Sequence, residues 1–225
     1  MKKFAVLCFL FVLIAVPKAF GADNIADKNL QSVVNQTGFK ILNANEIEHR
    51  MIFRVEKSCC LKGKIDSKRK IVYIPTGIFA QAETDDEAAA VIALQIARCI
   101  RTYEENRADY TEKISPEKYQ AYTDKRAVDM LVKADYSPLA LISYINKVYG
   151  VYEVYEVKSK KDGTSVRLAE IYEYILRKYP QKLDDKAFKE NIYYQNFLLN
   201  SRYNRSLLQN RMQHNPYSAE KIEYR

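Results

Sequence analysis

The sequence predicts an α+β fold that is predominantly helical, with a small β-sheet and a helical C-terminal extension. Three observations carry that expectation. Strand-like patterns are confined to residues 51–55 and 71–75, apolar residues recur at three- and four-residue spacing from Ala88 onward, and neither Pro nor Gly interrupts residues 181–215. With 225 residues, 48% of them apolar, the chain can bury one sizeable core. Its 18 Tyr and 9 Phe argue against disorder.

The chain opens with the pattern of a secretory leader, residues 1–22. Lys2 and Lys3 precede the apolar run 4–16, and Ala19 and Gly21 supply small residues for cleavage. That run is shorter than the ~20 residues a membrane-spanning helix needs, so an uncleaved anchor is the alternative. No Cys follows the run where a lipid anchor would need one. The mature protein is therefore expected to be exported, periplasmic or secreted, in a bacterial cell envelope. Net charge is +8, and +5 without the leader's Lys2, Lys3 and Lys18. An excess that mild suits an anionic membrane surface at most and argues against nucleic acid as a partner.

Beyond the leader, Ile25, Leu30, Val33 and Val34 indicate a helix over 25–37, ending before Gly38. Met51, Phe53 and Val55 alternate with charged residues as in a half-buried strand. A polar connection, "SCCLKGKIDSKRK", leads to the more buried strand "IVYIP". Thr84 and Glu87 form a capping box, with Asp85 and Asp86 at the positive end of the helix dipole, and that helix runs to about Tyr103. Ser115-Pro116 and Ser137-Pro138 each signal a helix start. The first of these helices reaches about Ala134 and the second ends at Gly150. Residues 166–178 are helical again, and 181–215 is expected to form one long helix or a helix pair. The organisation expected is a leader (1–22), a main domain (23–180) and an extension (181–225).

The order of these elements and their junctions resembles the M-48 family of zinc metallopeptidases, the HtpX-like and BepA-like group. Thr76-Gly77-Ile78 is similar to the family's Thr-Gly-Leu-like turn, and Asp86-Glu87-Ala88 to its acidic helix start. Ala134-Asp135-Tyr136-Ser137-Pro138 is similar to its Ala-Gly-Tyr-Asp-Pro-like turn. Arg167, with Leu168 and Ile171, matches an Arg near the family's C-terminal helix. The resemblance spans about residues 25–180 and implies a zincin-like metallopeptidase scaffold.

The family's chemistry rests on His-Glu-x-x-His followed by Glu-x-x-Ala-Asp on a later helix. Two imidazoles four apart grip one zinc, a Glu supplies the third ligand, and the Glu between the imidazoles activates water. In the alignment, Leu94, Gln95 and Arg98 stand at the positions of His-Glu-x-x-His, Lys125 takes the third ligand's place, and only Asp129 is retained. No zinc or other cofactor is expected there. "ENRAD", from Glu105 to Asp109, spells the second motif too early and reads as a solvated helix end. A different zinc site, made by Cys59, Cys60 and Cys99 with His49 or His214, is the metal-binding alternative, because these are the only histidines. A disulfide from Cys60 or Cys59 to Cys99 is an equally open reading beside a buried, unpaired thiol.

The leading expectation is thus a pseudopeptidase that binds an extended peptide or an envelope protein without cutting it. Arg98, Lys125, Gln95 and Asp129 would share the old cleft, with Arg98 or Lys125 paired to Asp129. The alternatives are a divergent hydrolase, for instance through Cys99 activated by Arg98, and an envelope assembly protein. The latter would act through Tyr193, Tyr194, Phe197, Tyr203 and Tyr217 with Arg202, Arg205 and Arg211, since Tyr and Arg are enriched at binding hot spots.

Overall fold

In a computed structural model, residues 22–48, 50–60, 63–106, 115–149, 163–202, 205, 206 and 210 are described. The expected leader cleavage site, His49, Asp109, Gly150, Tyr203, Arg211, His214 and Tyr217 lie outside them. The fold is mostly helical with one small sheet. The sheet has β3 (Ile71–Pro75) at its centre, with β1 (Ile52–Glu56) parallel on one side and β2 (Lys64–Asp66) antiparallel on the other. A central strand is covered on both faces, which is why "IVYIP" reads as a continuous apolar run.

β1's outer edge is engaged by a side chain. Gln31 of α1 (Ala22–Ala44) donates to the Phe53 carbonyl (3.0 Å) and accepts from the Val55 N–H (2.9 Å), so its carboxamide acts as one residue of a further strand. β2 lies within the polar connection and carries no strand signal in the sequence, because only Ile65 in it is apolar. It is held by pairing with β3 and by the turn that follows. There Asp66 accepts from the Arg69 N–H (3.0 Å) and Lys70 adopts a left-handed φ of 55°.

α1 continues through Gly38, where the sequence suggested a stop. The Phe53 ring lies directly on this glycine, and a Cβ there would come 2.5 Å from Cε2. The position trades helix propensity, ~1 kcal/mol against Ala, for close packing of helix on sheet. A short α2 (Thr76–Phe79) leaves β3 and leads to α3 (Asp85–Glu105), the central helix. Ala89, Ala90, Ala93 and Ala97 of α3 are fully buried, and such small residues let α1, α4, α5 and β3 approach it from several sides.

The start of α3 follows its sequence signal with one change. Thr84 accepts from the Glu87 N–H (3.1 Å), but the Glu87 carboxylate reaches the Glu83 N–H (2.8 Å) rather than that of Thr84. Asp86 accepts from the Ser137 N–H (3.0 Å) and so fastens α3 to the connection after α4 (Pro116–Lys133). Ser115 caps α4 through the Lys118 N–H, and α5 (Leu139–Tyr149) and α6 (Gly163–Lys178) follow.

Of the span 181–215, residues 181–202 are described continuously, and they do not form one long helix. A 3-10 turn (Pro180–Asp184) precedes the short α7 (Lys186–Lys189) and α8 (Ile192–Asn200). Asp185 and Asn191 break the run by capping. Asp185 accepts from the Ala187 N–H, and Asn191 from those of Tyr193 and Tyr194. Phe188, Tyr194 and Phe197 join the main core, and α8 packs on α5. Among the described residues, no helix is long and apolar enough to cross a membrane.

Candidate functional site

The residues singled out by the motif comparison lie along α3 and on the helices beside it, and they divide into separate groups. Leu94 belongs to the core. Gln95 is buried, and its Oε1 lacks a hydrogen-bond partner among the described residues. It lies under Gly63, just before β2, where a Cβ would stand 2.9 Å from Gln95 Oε1 and 3.0 Å from the Tyr73 carbonyl. Glycine is needed there for so close an approach of strand to helix.

Arg98, one turn further on, is partly buried and lies within electrostatic reach of Asp124 of α4 and Arg167 of α6. Burial holds its guanidinium below the ordinary range and the Arg167 charge adds to that, while Asp124, Tyr149 and Tyr119 act the other way. The Arg98 carbonyl accepts from the Tyr119 hydroxyl (3.1 Å), which also meets Thr102 (2.8 Å). Asp124 is almost wholly buried and accepts from Nε and Nη2 of Arg167, both at 2.7 Å. The Gln120 carboxamide, with its oxygen turned to Arg167, accepts from Nη1 (2.9 Å) and Nε (3.1 Å).

Asp129 stands elsewhere. Its carboxylate accepts from the hydroxyls of Tyr174 (2.8 and 2.9 Å) and Tyr179 (2.8 Å) and from Lys178 (2.9 Å), which ties α4 to the end of α6. Burial and then the Asp129 carboxylate push the Tyr179 hydroxyl up to about 12. Lys125 lies over the Tyr174 ring, 5.7 Å from its centroid. The expected cluster of Arg98, Lys125, Gln95 and Asp129 therefore does not assemble, and neither Arg98 nor Lys125 pairs with Asp129.

The physical reason is helical phase. Asp124, one residue before Lys125, carries the acidic side chain on the stripe that faces α3. Its spacing to Ala127 also reproduces the Glu-x-x-Ala half of the family motif, a signal that the alignment on Asp129 passed over.

Zinc does not fit these residues. Arg98 offers no lone pair, Leu94 is apolar, and both oxygens of Asp124 are engaged by a guanidinium. Among the described residues, no group of three His, Cys, Asp or Glu side chains could hold a metal ion.

Cys59, Cys60 and Cys99 are free, so the disulfide drawn from Cys60 or Cys59 to Cys99 is not formed. Cys59 and Cys60 are exposed on a segment pinned by the Gly77 N–H to the Ser58 carbonyl (2.8 Å), whereas Cys99 is buried inside α3. Burial pushes the Cys99 thiol up to about 11, the opposite of the activation by Arg98 that a nucleophile would need.

One buried polar network had no sequence signal beyond the capping residue. Glu87, fully buried, accepts from Ser143 (2.5 Å) and Lys147 (2.7 Å) of α5. Lys147 also donates to the Gln81 carbonyl (3.1 Å) and pairs with Glu83 (3.2 Å). Ser143 and its neighbours are thereby structural, holding α5 to the start of α3. The C-terminal aromatics are likewise engaged in packing. Tyr194 and Phe197 are buried, Tyr193 lies against Lys147, and Arg205 covers the Tyr172 and Phe197 rings while donating to the Leu198 carbonyl.

No family model, no curated protein and no solved structure matches this chain.

Proposed function

We propose that this protein is an exported, non-catalytic relative of the M-48 zinc metallopeptidases, built on a zincin-like scaffold, that binds an extended peptide segment of an envelope protein. The observation that carries the reading is the Asp124–Arg167 pair beside Arg98. At the junction of α3, α4 and α6, where the resemblance calls for a metal, the Arg167 guanidinium engages both oxygens of the buried Asp124 carboxylate, and Arg98 adds a second cation. Water activation by a metal needs lone-pair donors and a base, and these side chains provide neither.

A groove for a peptide survives the loss of chemistry, because strand addition uses backbone groups alone. Gln31 already occupies the β1 edge. Among the described residues β2 pairs only with β3, so its outer edge, beside Gly63 and Gln95, is the side on which a strand would add.

The test has two arms on the purified mature protein. Elemental analysis after dialysis against zinc should find well under about a tenth of an equivalent, since family-type sites hold zinc tightly. Incubation with unfolded casein should give binding without new fragments. Near-stoichiometric zinc, or metal-dependent cleavage, would overturn the proposal.

A further inference from the structure

The junction of α3, α4 and α6 has an unbalanced charge. Two guanidiniums, Arg98 and Arg167, face one carboxylate, and that carboxylate is committed to Arg167 through both oxygens. Arg167 is committed in turn, with Nε and Nη2 on Asp124 and Nη1 on Gln120. No hydrogen bond or ion pair from the Arg98 guanidinium is found among the described residues, although the side chain is partly buried and a second cation stands beside it. Burying a cation without a partner is costly unless an anion completes the group.

We propose that Arg98 binds a carboxylate carried by the peptide, its free C-terminus or an acidic side chain, with the Asp124–Arg167–Gln120 assembly holding Arg98 in place. The inference rests on the peptide-binding reading and identifies the chemistry of the ligand at that same site. A carboxylate fits better than a phosphate for two reasons. The cluster carries a net charge of one, which a singly charged group balances, and the Asp124 carboxylate would repel a dianion. A planar carboxylate also matches the two-pronged donor geometry of a guanidinium.

The placement suits a bound strand. Gln95 marks where Gly63 and β2 meet α3, and Arg98 lies three residues on, roughly 4.5 Å along the helix axis. A strand laid on the edge of β2 would thus run close to Arg98. Burial and the Arg167 charge both hold the Arg98 guanidinium below its ordinary range, and a bound anion would relieve that strain.

The test uses the full mature protein, labelled with 15N, and three peptides. They are acetyl-Val-Ile-Val-Ala as the free acid, the same peptide as its amide, and acetyl-Val-Asp-Val-Ala amide. The backbone amides of Lys64, Ile65 and Asp66 report strand addition, and the Nε–H signals of Arg98 and Arg167 report carboxylate binding. The expected result is that at least one carboxylate-bearing peptide shifts the Arg98 signal and binds at least tenfold more tightly than the neutral amide. Arg98→Gln should abolish that advantage, and it is expected to fold because it removes charge repulsion. Which of the two acidic peptides responds identifies the source of the carboxylate. Equal shifts of the β2 amides with all three peptides and a silent Arg98 would overturn this inference and leave peptide binding intact. No shift with any peptide would overturn both.

Discussion

Asp124 and Arg167 meet on two arms of 2.7 Å each, and this pair fixes the spacing of α4 and α6 on the side that faces Arg98. Both partners are nearly removed from water, with side-chain exposures of 2% and 11%. Geometry of that kind is costly to break from one side, because the remaining charge stays buried.

Asp124→Ala is therefore expected to destabilise the protein by about 3–5 kcal/mol. Arg98→Met should be neutral or stabilising, because it removes a partly buried cation that Arg167 opposes. The double variant should cost less than Asp124→Ala alone, since fewer unbalanced charges remain. Urea unfolding of the three variants tests this, and strict additivity would show that Arg98 is not electrostatically part of the group.

Cys99 predicts a pH dependence whose sign follows from burial. Its folded-state value, pushed up to about 11 from an ordinary value near 9, favours the neutral thiol in the native state. Stability from this residue is complete below pH 9, declines as pH rises from about 9 to 11, and is lost above that range. Cys99→Ala should flatten that part of the stability curve. In a chain beginning at Ala22, a thiol reagent at pH 8 should label Cys59 and Cys60 quickly and Cys99 only on unfolding. Rapid labelling of all three would contradict the burial of Cys99.

Legibility from sequence followed how local each determinant is. The start of α3 was readable because Thr84, Asp85, Asp86 and Glu87 act within one turn, and Ser115-Pro116 worked in the same way. β2 was not, because three residues with one apolar side chain become a strand only when β3 is beside them. Gly38 looked like a stop, and its reason for lying inside α1 is a ring fifteen positions away. At the candidate site, Arg98 and Arg167 stand out in the sequence, but that Asp124 rather than Lys125 meets Arg167 does not. A shift of one residue turns a helix by about 100°, so it decides which charge faces the site.

Gly63 offers a test of the contact between strand and helix. Gly63→Ala would set a methyl 2.9 Å from Gln95 Cδ and Oε1 and 3.0 Å from the Tyr73 carbonyl, an overpacking expected to cost about 1–3 kcal/mol. Combining it with Gln95→Ala should recover part of that loss but not all, because the Tyr73 carbonyl belongs to the central strand and cannot retreat. Thermal unfolding of the single and double variants checks the coupling. Equal losses with and without Gln95 would mean that the side chain yields freely.

Building a zinc site into α3 should fail unless the ion pair is released as well. Leu94→His, Gln95→Glu and Arg98→His together would create His-Glu-x-x-His on one face of α3, with Asp124 as the nearby carboxylate. Arg167 would still hold both Asp124 oxygens, and a cation at that distance opposes a dication and leaves the third ligand unavailable. The triple variant is expected to lose its zinc to a moderate chelator. Adding Arg167→Gln should raise zinc affinity at least tenfold by freeing Asp124. Competition with a chromogenic chelator measures both. Tight binding by the triple variant alone would mean that Arg167 does not control the carboxylate, and no gain on adding Arg167→Gln would mean that Asp124 does not face the site.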